Sequence, residues 1–174
     1  MKEFIRDIAI ALVIGFIILQ FVKPTVVKEF SMMPTLHEND YIFLSKQAYR
    51  MHEPEFGDII VFHTDLTTAA GREKLLIKRV IGVPGDTLSI KDGVVYRNGE
   101  ALQEDYILEG YTSGDIAKIE IPEGKVFAMG DNRLNSLDSR SPQVGLIEID
   151  EIMGKAVLRV FPFSQFGLLD TIEE

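Results

Sequence analysis

The sequence predicts an all-β fold of antiparallel strands preceded by one apolar N-terminal helix. Three observations carry that expectation. Short β-branched and aromatic runs recur between Gly, Pro and Asp breaks from residue 25 onward. Two Asx-Gly pairs, Asp92-Gly93 and Asn98-Gly99, sit between strand-like runs, where two-residue hairpin turns place them. The single long apolar run, "IAIALVIGFIILQFV" from Ile8 to Val22, is soon followed by Pro24, which cannot continue a helix.

Taken in order, the apolar run comes first. With Phe4 and Ile5 it approaches the ~20 residues that span a bilayer, and Lys2, Arg6 and Lys23 can snorkel to the two interfaces. It is hydrophobic on every side, unlike an amphipathic surface helix. A removed signal peptide needs small residues at a cleavage site, and "QFVKPTVV" has none. A buried core helix is the other alternative. The reading adopted is an uncleaved transmembrane helix, with residues 1–23 forming a cytoplasmic tip and anchor. Lys2 and Arg6 on one flank balance Lys23 and Lys28 on the other, so charge alone does not orient it.

Beyond Pro24 the strand-like runs are "TVVKEF", "YIFLS", "DIIVFHT", "KLLIKRVIGV", "DTLSI", "GVVYRNG", "AKIEI", "KVFAMG" and "KAVLRVFPF". "SKQAYRMHEPEFG" reads as a short helix or an exposed turn, and "TDLTTAAGRE" and "EGYTSGD" as surface loops. No repeat or low-complexity linker interrupts the chain, so at 174 residues it fits one domain with a small appendage.

Composition narrows the function. A net charge of −9 without a basic patch argues against a nucleic-acid partner. The absence of cysteine excludes disulfides, thiol catalysis and cysteine metal sites. His37, His52 and His63 stand singly, without metal-ligand spacing, and read as structural or exposed. There is no G-x-S-x-G elbow and no histidine placed for a Ser-His-Asp triad.

What remains is serine with lysine. Ser31 follows a short strand, and Lys78 lies in the middle of the apolar run "LLIKRVIGV". A serine hydroxyl needs a base, and a lysine serves as one only when neutral. Burial among Leu75, Leu76, Ile77 and Val80 would favour the neutral amine. The plainer alternative is a packed aliphatic stem with its amine in solvent. "GDNRLNSLDSR", Gly130 to Arg140, reads locally as a turn rich in Asx and Ser bonds, with Asp138 and Arg140 as a surface ion pair.

Together "SMMPTL" (Ser31–Leu36), "GDIIVF" (Gly57–Phe62), "KRVIGVPGD" (Lys78–Asp86) and "GDNRLNSLDSR" resemble, in order and behind an anchor, the bacterial type I signal peptidases. These are membrane-anchored Ser-Lys proteases. The resemblance implies a barrel-like catalytic β-domain over residues 24–174. Its second β-subdomain, around 86–125, is reduced as in compact Gram-positive members. It implies Ser31 as nucleophile, Lys78 as general base, and Ser136 as the serine that hydrogen-bonds and orients that lysine. Asp138 and Arg140 match a pair that buttresses the site, and Met32 and Pro34 the turn that presents the nucleophile. The Ser31 N–H matches one oxyanion donor.

The second donor is unassigned, because position 29, where many members carry Ser or Gly, is Glu29. Val27, Phe30 and Ile77 are expected to line the substrate groove. The implied reaction is cleavage of signal-peptide-bearing preproteins after small residues, at A-x-A type sites, without metal or cofactor. It would take place on the outer face of the cytoplasmic membrane. Partners are those preproteins and membrane lipid, with the secretion machinery a further candidate. Alternatives are a non-catalytic signal-peptide-binding relative, which Glu29 would favour, and a dedicated pilin-type precursor peptidase.

Overall fold

The computed structural model describes residues 1–50, 52–68 and 70–169, and only the backbone at positions 2, 11, 17, 18 and 19. Helix α1, Lys2–Phe21, runs directly into strand β1, Val22–Val26. The chain then forms β2 (Tyr41–Ser45), β3 (Ile59–Phe62) and β4 (Leu76–Gly82). A second group follows: β5 (Thr87–Lys91), β6 (Val94–Arg97), β7 (Glu100–Ala101) and β8 (Ile116–Glu120). The chain returns through β9 (Lys125–Met129), β10 (Ile147–Glu148), β11 (Ile152–Phe161) and β12 (Gly167–Leu168). All pairings between these strands are antiparallel.

One sheet runs in the order β1-β2-β11-β3-β4-β9-β10, with β12 also on β11; the other runs β7-β6-β5-β8. Both hairpins of the second sheet turn on the Asx-Gly pairs. Asp92 and Gly93 have φ of 52° and 82°, and Asn98 and Gly99 have 55° and 88°, the left-handed region that type I′ turns need. The larger sheet buries Val27, Met32, Leu36, Ile42, Leu44, Ile59 and Val61 in one cluster, and Ile60, Phe62, Leu76, Val80, Val126 and Ala128 in another. A third cluster joins the two sheets, with Leu88, Ile90 and Val95 packed against Ile81, Phe127 and Met129.

One strand expectation shifts. "TVVKEF" was expected as the strand, yet β1 lies earlier and includes Pro24, opposite Phe43. Proline lacks an N–H, so it is tolerated where β1 has a neighbour on one side only. Val27 leaves the strand because its N–H bonds to the Asp40 carbonyl and its own carbonyl accepts from Asn39. "SKQAYR" forms turns rather than a helix, while Met51 and Ala69, in the two loops expected there, lie outside the described residues.

The structure does not show the expected membrane span. Among the described residues no helix is long and apolar enough to cross a membrane. Glu3, Arg6 and Asp7 charge the first turns of α1, and Arg6 bonds Asp7 at 3.2 Å. Phe4, Leu12 and Phe16 stand exposed along α1.

Candidate active site

Along β4 successive side chains point to opposite faces, which separates two adjacent cations. Lys78 and Arg79 are both almost fully buried, at 1% and 2% exposure. Arg79 meets Asp131, with Nε to Oδ1 at 2.9 Å and Nη2 to Oδ2 at 2.7 Å, and donates to the Gly57 carbonyl. Asp131 also accepts from Thr35 Oγ1 at 2.5 Å, so the pair reaches into the turn that carries Ser31. Among the described residues Lys78 has no carboxylate in contact. Its Nζ lies 2.7 Å from Ser31 Oγ and 2.8 Å from the Ile77 carbonyl.

That difference sets the protonation of the lysine. Burial pushes the Lys78 amine down from 10.5 to about 8. Asp138, Glu29 and Asp131 pull it back up, and Lys74 pushes it further down. About a tenth of such lysines are neutral at pH 7, against roughly three in ten thousand at the ordinary value. The sequence expectation that burial favours a free amine is met by the environment around Lys78.

Ser31 sits in a tight turn held from both ends. Met33 N–H bonds to the Phe30 carbonyl at 3.2 Å, and Leu36 N–H to the Met32 carbonyl at 2.8 Å. Met32 is buried at the base, and Pro34 follows a cis peptide bond from Met33. From outside, Asn132 clamps the turn: its N–H reaches the Ser31 carbonyl at 3.0 Å, and its Nδ2 the Phe30 carbonyl at 3.2 Å. The Ser31 N–H has no hydrogen-bond partner among the described residues.

Asp138 and Arg140 are not the surface pair that local reading suggests. Asp138 is buried, and Arg140 binds it through Nε and Nη2, both at 2.8 Å. Burial alone would raise the Asp138 carboxyl, but Arg140 and the Gly130 N–H hold it below the usual carboxylate range. Gly130 is required by space: a Cβ there would overlap Ser136 Oγ and the Ser31 carbonyl oxygen.

Ser136 is thus packed behind Ser31, yet the expected bond to Lys78 is absent. Its hydroxyl is near enough to Asp138 to favour the carboxylate but is buried without a well-formed hydrogen bond. Lys78 Nζ instead lies within hydrogen-bond distance of Ser31 Oγ and the Ile77 carbonyl.

A groove of about 520 Å³ opens beside Ser31. One wall is β1 continued through Val27 to Glu29, and the other is Lys74 to Ile77. Leu76, Ile77 and Lys78 pair with β3 on one side, whereas β9 pairs only from Arg79 onward. Both walls therefore offer unpaired strand edge to the groove. Val27 and Ile77 line this groove; Phe30 does not, and is half exposed. Residue 30 lies in a bend, where strand alternation no longer decides which way a side chain faces. Glu29 Oε1 is held by Lys74 Nζ at 2.7 Å.

Sequence reasoning missed Asn132, Asp131, Thr35, Gly130 and Lys74. The first four lie inside the quoted segments, and a second cation beside Lys78 in a buried strand was the available signal that Arg79 needed a carboxylate. Lys74 had no local signal. Among the described residues no group of His, Asp and Glu is arranged to hold a metal.

The family description that matches residues 1–161 is "Signal peptidase, peptidase S26". The chain is 41% identical over 172 residues to the probable signal peptidase I-1 of Synechocystis sp., covering 97% of this chain and 86% of that one. It is 35% identical to signal peptidase I of Bacillus licheniformis, covering 97% and 92%. It is 35% identical to signal peptidase I T of Bacillus subtilis, covering 94% and 86%. A crystal structure of a signal peptidase I from Enterococcus faecalis aligns with a TM-score of 0.48 at 31% identity, over 60% of this chain and 97% of that one.

Proposed function

The chain belongs to the signal peptidase family, peptidase S26, serine peptidases that remove signal peptides, and from that premise we propose a Ser31–Lys78 acyl-enzyme mechanism. The 2.7 Å contact between Ser31 Oγ and a buried, largely uncompensated Lys78 Nζ carries the proposal. The proton of Ser31 passes to neutral Lys78 as Oγ bonds to the scissile carbonyl carbon. The Ser31 N–H is the oxyanion donor. Lys78 then returns the proton to the departing amine of the mature protein, leaving the signal peptide as an ester on Ser31. Lys78 next takes a proton from water, the hydroxide displaces Oγ, and Ser31 recovers its proton.

Asp131, Thr35 and Asn132 hold the nucleophile turn; Met32 and Pro34 shape it. Asp138 and Arg140, together with Ser136 and Gly130, support it from behind. The extended end of a signal peptide enters as a strand between the two unpaired edges, bonding through its main chain. Val27 and Ile77 form shallow walls suited to the small residues of an A-x-A site. Residues 24–174 are the catalytic unit, and the β5–β8 sheet is its smaller subdomain.

The helix α1 is the membrane anchor of a single-pass protein. Its exposed Leu12, Val13 and Phe16 face lipid, and Phe4 and Ile5 extend the span once Arg6 snorkels. The N-terminus is cytoplasmic and the catalytic unit extracytoplasmic, beside the bilayer that presents its substrates. Glu29, which would favour a non-catalytic relative, is engaged by Lys74.

The test is cleavage of a secretory preprotein in detergent micelles by the full chain and by Ser31→Ala and Lys78→Ala. Cleavage after a small residue, abolished in both variants, is expected. Undiminished cleavage in either variant sinks the mechanism.

A further inference from the structure

The mouth of the groove carries a feature that the reaction does not use. Glu29 belongs to one wall and Lys74 to the other, so their 2.7 Å ion pair crosses the path an extended peptide would take. Lys74 is anchored through its backbone, with its N–H on the Leu66 carbonyl at 2.8 Å and its own carbonyl accepting from Thr64 Oγ1 at 2.6 Å. The loop beyond it is closed by Thr68 N–H on the Arg72 carbonyl and by a bridge between Thr67 and Glu73. The lysine is thus presented by a fixed hairpin base.

The pair is half exposed, at 50% for the Glu29 side chain and 28% for that of Lys74. Ion pairs of this exposure are weak, so either partner is readily exchanged for another of the same sign. The groove offers an imbalance of charge for such an exchange. Its lining holds the cations Lys23, Lys28, Arg72 and Lys74 against the anions Glu29 and Glu73. His63 Nδ1 already engages Glu73 at 2.6 Å, and Lys28 and Arg72 have no acidic partner among the described residues. This cationic lining lies on a chain of net charge −9.

We propose that Glu29 and Lys74 form an exchangeable clasp across the substrate groove, which favours preproteins carrying a carboxylate at the middle residue of the A-x-A site. The proposal rests on the peptidase reading above. In an extended peptide alternate side chains face opposite ways, so the two small residues face the groove floor and the middle one faces the mouth. There an acidic side chain takes the place of Glu29 on Lys74, and a basic one meets Lys28, Arg72 and Lys74. Lys74 and Glu29 are therefore specificity determinants, and neither takes part in the bond-making steps.

The experiment uses the full chain in detergent micelles and three peptides that differ only at the middle residue, which is Glu, Ala or Lys. Wild type is expected to cleave the Glu peptide with a kcat/KM about threefold to fivefold above that of the Lys peptide, through KM. Lys74→Gln is expected to reduce that preference, and the double exchange Glu29→Lys with Lys74→Glu to reverse it. A wild type that cleaves the Ala peptide but treats Glu and Lys alike overturns the clasp alone. So does a preference that survives both variants unchanged. If wild type cleaves none of the peptides, nor a preprotein, the peptidase reading falls and the clasp falls with it.

Discussion

The two halves of β4 are built from the same kind of sequence and come to opposite ends. Arg79 and Val80 are paired on both sides, by β9 and by β3 or the Gly57–Asp58 backbone, and the buried cation there is matched by Asp131. Leu76 to Lys78 is paired on one side only, faces the groove, and its buried cation touches a hydroxyl and a carbonyl. Burial is equal for the two cations; the partner is what differs. A paired guanidinium stays charged and ties strands together, whereas an uncompensated ammonium gives up its proton more readily and becomes a base.

The comparison breaks most directly at Lys78. Lys78→Met is expected to lower kcat/KM by about 10⁴-fold or more, since a nucleophile and its base act as a unit. Preprotein cleavage in micelles measures it. The same change should leave the fold intact, whereas Asp131→Ala strands Arg79 in the interior. Chemical denaturation should show the Asp131 variant destabilised by about 3–5 kcal/mol. A loss below ~1 kcal/mol would mean that Arg79 finds water or another partner.

Linkage gives the opposite sign for the catalytic half. Lys78 has its amine lowered from 10.5 to about 8 on folding, so the unfolded chain binds more protons between those values and stability rises with pH there. Below pH 8 the full cost of the buried ammonium is present. Lys78→Met should therefore raise stability at pH 7, by up to about 3 kcal/mol. Stability unchanged or lowered across that range would contradict the uncompensated reading. One substitution thus removes activity and stabilises the fold, while Asp131→Ala, at the partner of the other buried cation, destabilises it.

Activity should follow the same titration. In wild type kcat/KM should rise about tenfold per pH unit up to a shoulder near pH 8, because only the neutral amine accepts the Ser31 proton. Glu29→Gln should move that shoulder to lower pH and Lys74→Gln to higher pH, since the first charge raises the Lys78 value and the second lowers it. The displacement is the smallest effect expected, and a pH profile on a neutral peptide reads it.

Much of the fold is written in local pattern. The β-branched runs became strands, and the two Asx-Gly pairs became hairpin turns because only such residues take left-handed φ cheaply. Pro24 proved informative in a different way from that expected. It marks an edge strand and so helps to leave one wall of the groove unpaired. The candidate pair Ser31 and Lys78 was legible because both sit in recognisable segments, and the apolar setting of Lys78 pointed to the chemistry proposed for it. Asp138 with Arg140 reads locally as a weak surface pair, since nothing near them in sequence reveals that Asp138 is buried against Gly130, beside the Ser31 turn.

Sequence by itself determined the elements, the order of the segments and the residue types a Ser-Lys reaction needs, because strand period, turn φ and proline geometry are properties of neighbouring residues. Tertiary structure alone decided which of those residues act together. Ser31 and Lys78 are 47 positions apart, and Arg79 and Asp131 are 52 apart; each pair meets only through sheet register and turn geometry. The same holds for the lone Ser136 hydroxyl, the Glu29–Lys74 contact and the lowered lysine. Hydrogen-bond partners and burial are set by whatever the folded chain brings alongside, and electrostatic energy in a low-dielectric interior depends on that neighbourhood more than on the residue itself.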